Sequence, residues 1–207
     1  MSMAQKERRE LVTTMAAAGP EAPTLCGSWS VRDLAAHLVV RERRPDAAPG
    51  IMIKALAPRL ERVQARAAER PFPELLEEVR TGPPWWSPLK PIDAVANLAE
   101  YFVHHEDVRR GGETWEPREL PGDEQRQLWK TVRRMGKMAY RKSPAPIVLR
   151  TPDGDEARIG SGPGEPVVLL GAPAELLLHA FGRDKVRIET SGPEDSVRAV
   201  LALDRSL

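Results

Sequence analysis

The chain has 207 residues, enough for one large domain or an ordinary domain with a small companion, and 31 Lys and Arg against 30 Asp and Glu leave a formal charge of +1. That balance gives no pull toward DNA, RNA or an anionic membrane, and no run approaches the roughly 20 apolar residues of a membrane span. Cys26 is the single cysteine, which excludes an internal disulfide and any cysteine-rich zinc site, so a bound metal would have to be held by histidines and carboxylates. The N-terminus runs straight into charged residues without the apolar segment of a signal peptide, and a cytoplasmic location is expected.

Ser2 and Gln5 form a capping-box pattern ahead of Leu11, Val12, Met15 and Ala16 at helical spacing, and Gly19-Pro20 stops that helix. A second box, Ser30 with Asp33, has Trp29 and Leu34 at the staple positions, so the next helix starts at Val31 and ends before Pro45. From Pro45 to Pro91 the pattern is less regular. Helical pieces are expected around Ile51 to Ala68 and Pro73 to Arg80, followed by a Pro-rich loop carrying Trp85 and Trp86, and the whole stretch reads as an insertion.

A third strong helix spans about Ile92 to Arg110 and is closed by Gly111-Gly112, with Ile92, Val95, Leu98, Ala99, Phe102 and Val103 as core candidates. A fourth runs from about Asp123 to Arg141 through Leu128, Val132, Met135 and Ala139. The expectation is a mainly α protein, an antiparallel four-helix bundle over residues 1–143. Beyond Ser143-Pro144 the character changes to short β-prone runs: Ile147 to Arg150, Ala157 to Gly160 and Val167 to Leu170. A short helix from Pro173 to Phe181, a strand at Val186 to Thr190 and a last helix near Pro193 complete a small α/β domain over residues 144–207.

The chain has four histidines: His37, His104, His105 and His179. Glu100 and His104, four apart on one helix, share a face, whereas His105 is turned by about 100° from His104. His37 flanks the Leu34 and Leu38 stripe of the second helix and can point into a bundle interior. Packing the two helices together would bring His37 to Glu100 and His104, a nitrogen and oxygen set suited to zinc, with nickel or another divalent ion also open. The spacing of Glu100 and His104 equally describes an ordinary polar pair on a helix. It is not the zincin pattern, because the position that would hold the second histidine after His105-Glu106 is Arg109.

Supporting roles have simpler alternatives beside them. Asp107 could hydrogen-bond the second ring nitrogen of His104 or organise Arg109, or could be an exposed helix charge. Arg109 and Arg110 could bind a substrate carboxylate, though cations are favoured at a helix C-terminus in any case. His105 reads as a supporting or structural residue, His179 as an ordinary partly buried histidine, and Cys26 as a small buried thiol. Trp85 and Trp86 could line a pocket mouth or pack the insertion down.

The blocks Trp29-x-x-x-Asp33-Leu34-x-x-His37 and Glu100-x-x-x-His104-x-x-Asp107 resemble, in order and spacing, the actinobacterial metal-binding branch of the DinB/YfiT-like superfamily, which includes the mycothiol-dependent maleylpyruvate isomerases. Gly171 to Leu178 and Phe181-Gly182-Arg183 are similar to the C-terminal domain of those proteins. The resemblance implies metal ligands at His37, Glu100 and His104, and a small thiol, mycothiol, activated as a thiolate toward an electrophilic substrate in an isomerase or transferase. The rival expectation is a non-catalytic metal- or ligand-binding protein, or a bundle whose exposed helix faces pair two copies as a homodimer.

Overall fold

The computed structural model describes residues 1–51, 53–85, 94–160 and 164–205, with the backbone alone for residues 94–96. The protein is mainly helical and carries a small four-stranded sheet. Its chain divides into two compact units, Met1–Trp115 and Glu116–Leu207. None of its described helices is long and apolar enough to cross a membrane.

The first unit contains α1 (Met3–Ala18), α2 (Val31–Arg43), α3 (Ala57–Ala68), α4 (Phe72–Thr81) and α5 (Ala94–Arg109), with two short 3-10 turns at Ala48–Ile51 and Lys54–Leu56. Both capping boxes form: the amide of Gln5 donates to Ser2 Oγ, and that of Asp33 donates to Ser30 Oγ, each at 3.3 Å, while the Gln5 and Asp33 side chains accept from the cap amides. A cap of this kind stabilises a helix by about 1 kcal/mol. α1 packs along α5 and also meets α4, and α2 meets α3 and α4.

Every residue of α2 from Leu34 to Val40 is buried, and so is Glu42. A carboxylate taken out of water needs partners. Glu42 receives both guanidinium nitrogens of Arg8, at 2.8 and 3.1 Å, and the hydroxyl of Tyr101, so one buried network ties α1, α2 and α5 together. Arg8 Nη1 also donates to the carbonyl of Val79 at 2.9 Å, which brings in the end of α4. There Gly82 sits at φ +76, and a Cβ on it would lie 2.4 Å from Arg8 Nη1. The positive φ favours glycine, and a side chain there would have to displace the Arg8 guanidinium.

The second unit holds α6 (Gly122–Ala139), β1 (Ile147–Arg150), β2 (Glu156–Ile159), β3 (Val167–Leu170), α7 (Pro173–Ala180), β4 (Glu189–Ser191) and α8 (Glu194–Leu201). The strand order is β2-β1-β3-β4, with β1 and β3 parallel and the two outer pairs antiparallel. Ile147 and Leu149 pair in register with Val167 and Leu169, and all four are fully buried, as period-two alternation on one sheet face requires.

The helix expected to complete an N-terminal bundle belongs here. α6 packs on α7 and β2, and its Gly136 lies against Ile159 and Leu149. By its internal contacts the chain divides ahead of α6, between Trp115 and Glu116. Amphipathic spacing shows that α6 has an apolar face but does not say what covers it. The fourth strand starts later than expected, at Glu189. Trp86 and Ile92 lie outside the described residues, as does the side chain of Val95, while Trp85 is exposed.

Candidate metal centre

The site is built from α2, α3, α5 and the loop between α1 and α2. That loop is fixed to the last turns of α5 by backbone contact: the amide of Leu25 donates to the carbonyl of Asp107 at 3.1 Å. A Cβ on Gly111 would fall 2.0 Å from the carbonyl oxygen of Pro23, so the absence of a side chain there is what permits the approach. Thr24 Oγ1 accepts from the Cys26 amide and donates to the Trp29 carbonyl, which turns the Cys26 thiol toward α5.

Three donor atoms converge. His37 Nε2 from α2 and His104 Nε2 from α5 lie 3.5 and 3.2 Å from the same atom, Glu100 Oε1. One atom from each of the three residues fits within a 4.8 Å span. Zinc bonds of about 2.0–2.1 Å in a tetrahedral arrangement put donor atoms about 3.3–3.4 Å apart, so this donor set fits a divalent ion without large movement.

The far side of each ring is held. His104 Nδ1 lies 2.9 Å from Asp107 Oδ2, and Asp107 is fully buried. That carboxylate also accepts from the Cys26 thiol at 3.0 Å. His37 Nδ1 lies 3.1 Å from the side-chain amide of Gln64 on α3, and the Trp29 ring covers His37 at a centroid distance of 5.1 Å. Histidine ligands ordinarily donate their second N–H to such an acceptor, which sets tautomer and ring orientation. With the Asp107 carboxylate, His104 meets this requirement directly. The Gln64 amide is placed with its nitrogen toward His37 Nδ1, and His37 meets the requirement once that amide is turned to bring its carbonyl to the ring.

The electrostatics follow from this crowding. Burial by itself would lower the His104 imidazole, but hydrogen bonds to Asp107, Cys26 and Glu100 outweigh it and hold the group well above the usual histidine range. Burial would raise Glu100, yet hydrogen bonds from His104 and His37 keep its carboxyl well below the usual range. For His37 burial wins over the hydrogen bond to Glu100, and its affinity for a proton is reduced. Glu100 is thus kept ionised and His37 neutral, as ligands require, whereas His104 has to release a proton before its Nε2 can bind a metal.

Two neighbouring clusters read differently. Cys26, His104 and Asp107 also come together, but 3.0 Å between sulfur and carboxylate is a hydrogen-bond length, shorter than the separation of about 3.6 Å implied by zinc bonds of about 2.3 and 2.1 Å. Glu7, Glu10 and His105 form the other. There both ring nitrogens of His105 are engaged, by Glu7 Oε2 and Thr14 Oγ1 at 2.9 Å each, so His105 faces α1 and joins α5 to it.

Compared with protein-family models, curated proteins and solved structures, the chain finds no significant match in any of the three. The local geometry is therefore the ground for any functional reading.

Of the residues singled out from the sequence, His37, Glu100, His104 and Asp107 come together and His105 turns away. Arg109 donates to Glu106 one turn back at 2.9 and 3.0 Å, and Arg110 donates to the same carboxylate at 2.6 Å with its guanidinium 4.6 Å from the Trp115 ring. Both arginines thus work on a buried charge of their own helix. Sequence reasoning missed Gln64 and Arg41, whose Nε lies 3.3 Å from Glu100 Oε1. Arg41 is one turn beyond His37 on α2, and that spacing could have flagged it. No spacing in the sequence points to Gln64.

Proposed function

We propose that this protein binds a divalent metal, zinc by the chemistry of its donors, through His37, Glu100 and His104, and uses it to activate a small-molecule thiol. The observation that carries this reading is the approach of two imidazole Nε2 atoms to one carboxylate oxygen, at 3.5 and 3.2 Å, with the opposite nitrogen of each ring in polar contact. Bound there, the ion would stabilise thiolate over thiol and supply a nucleophile at neutral pH from a group whose free pKa is about 8.5. Asp107 orients His104, the Cys26 thiol holds Asp107, and Gln64 and Trp29 fix the plane of His37. Three protein ligands leave a position open for a ligand, as catalytic zinc sites do.

The likeness of the two sequence blocks to the DinB/YfiT-like metal-binding branch extends the proposal to mycothiol as the thiol, to a transferase or isomerase reaction on an electrophile, and to a bundle of that type. What supports the last point is the packing of α1 along α5.

Elemental analysis of the purified chain tests the core of the reading. One divalent ion per chain, lost in His37→Ala, is the expected result, and a cobalt-loaded sample should change its visible spectrum on addition of thiol. Full metal occupancy in His37→Ala would remove the proposed ligand set. A cobalt spectrum indifferent to saturating thiol would remove the thiol chemistry and leave a protein that binds metal without using it.

A further inference from the structure

Arg41 is the residue beside the cluster that neither metal binding nor packing explains. It follows His37 by one helical turn, so both side chains leave α2 on the same face. An arginine in the last turn of a helix can extend its long stem and keep its charge in water. Arg41 instead lies with a side chain only 13% exposed, and its Nε is 3.3 Å from Glu100 Oε1. Its Nη1 is buried without a hydrogen-bond partner among the described residues. A covered guanidinium donor without an acceptor is costly, and a native structure keeps few of them.

We infer that Arg41 forms a carboxylate-binding subsite beside the His37, Glu100 and His104 cluster, so that the ligands of this centre are small carboxylic acids. Planar guanidinium groups match carboxylates with parallel hydrogen bonds. Glu100 already lies against Nε, which disfavours a dianion such as phosphate and leaves Nη1 to a singly charged group. Since the same Glu100 oxygen touches Arg41 and both imidazoles, a ligand spanning the subsite and the centre has its carboxylate only a few atoms from its reacting group.

This inference rests on the metal-centre reading, and the experiment separates the two. Calorimetric titration of the full chain with 3-mercaptopropionate and with its uncharged amide, 3-mercaptopropionamide, is carried out on wild type, Arg41→Met and Arg41→Lys, with metal content measured on the same samples. Any intrinsic difference between acid and amide, in thiol acidity or in chelation, cancels when wild type is compared with variant. The acid-to-amide preference of wild type is expected to exceed that of Arg41→Met about tenfold, with the amide bound alike by both and with Arg41→Lys intermediate. Equal preference in wild type and Arg41→Met overturns the subsite whatever the metal content. An acid preference no greater than that in Arg41→Lys does the same should Arg41→Met fail to fold. Absence of metal from wild type, with the Arg41-dependent preference intact, overturns the metal centre alone.

Discussion

Protonation of His179 should make the protein sensitive to mild acid. In the second unit this residue is 2% exposed, its Nδ1 lies 2.6 Å from the Tyr140 hydroxyl, and its Nε2 has no partner among the described residues. Burial, helped by the charge of Arg205, lowers its pKa from 6.5 to about 3. A histidine depressed in the folded state contributes its full stability above the unfolded pKa, and that contribution is lost as pH falls from there toward the folded pKa. Linkage over the window puts the loss at about 2 kcal/mol at about pH 5, with a ceiling of about 5 kcal/mol below about pH 3. Urea unfolding near pH 7.5 and at about pH 5 measures it, with His179→Gln as the non-titrating reference. The wild type should lose about 2 kcal/mol more than the variant between the two conditions. Every other titrating group, those of the metal centre included, contributes equally to both proteins and cancels. Parallel losses would show that His179 takes up its proton without penalty and would refute the reasoning.

Asp107→Asn should weaken metal binding about 10- to 100-fold, read by competition with a chelator, because an amide facing Nδ1 no longer demands the tautomer that leaves Nε2 free. Gly111→Ala places a methyl against the Pro23 carbonyl, a backbone atom that cannot swing aside, and should cost about 1–3 kcal/mol in urea unfolding together with reduced metal retention. Glu42→Ala leaves the Arg8 guanidinium buried without its carboxylate and should cost about 3–5 kcal/mol by the same measurement, far more than an exposed pair would.

Where local chemistry specifies structure, the sequence was legible. The Ser2 and Ser30 boxes marked two helix starts to the residue, and the β-prone runs Ile147 to Arg150, Ala157 to Gly160 and Val167 to Leu170 lie within one residue of the observed strands. Partners were harder to read. α6 has a clear apolar face, yet α7, a short helix buried along nearly its whole length, covers it. The i, i+4 spacing put Glu100 and His104 on one face, and His37 was recognisable from its place beside Leu34 and Leu38. Arg109 and Arg110 stand where a helix end accommodates cations for reasons unrelated to ligands, and Glu106, which both of them contact, is buried one turn away.

The stretch between α2 and α5 looks from sequence like an ornament on the scaffold, but through Gln64 it reaches the imidazole of His37. An amide presents either a donor or an acceptor, and rotating it by half a turn exchanges them. With the nitrogen forward, His37 keeps its hydrogen on Nε2; with the oxygen forward, that nitrogen has an electron pair to give. Related chains could therefore rewrite this stretch and retune one imidazole as a donor while leaving all three ligand positions untouched.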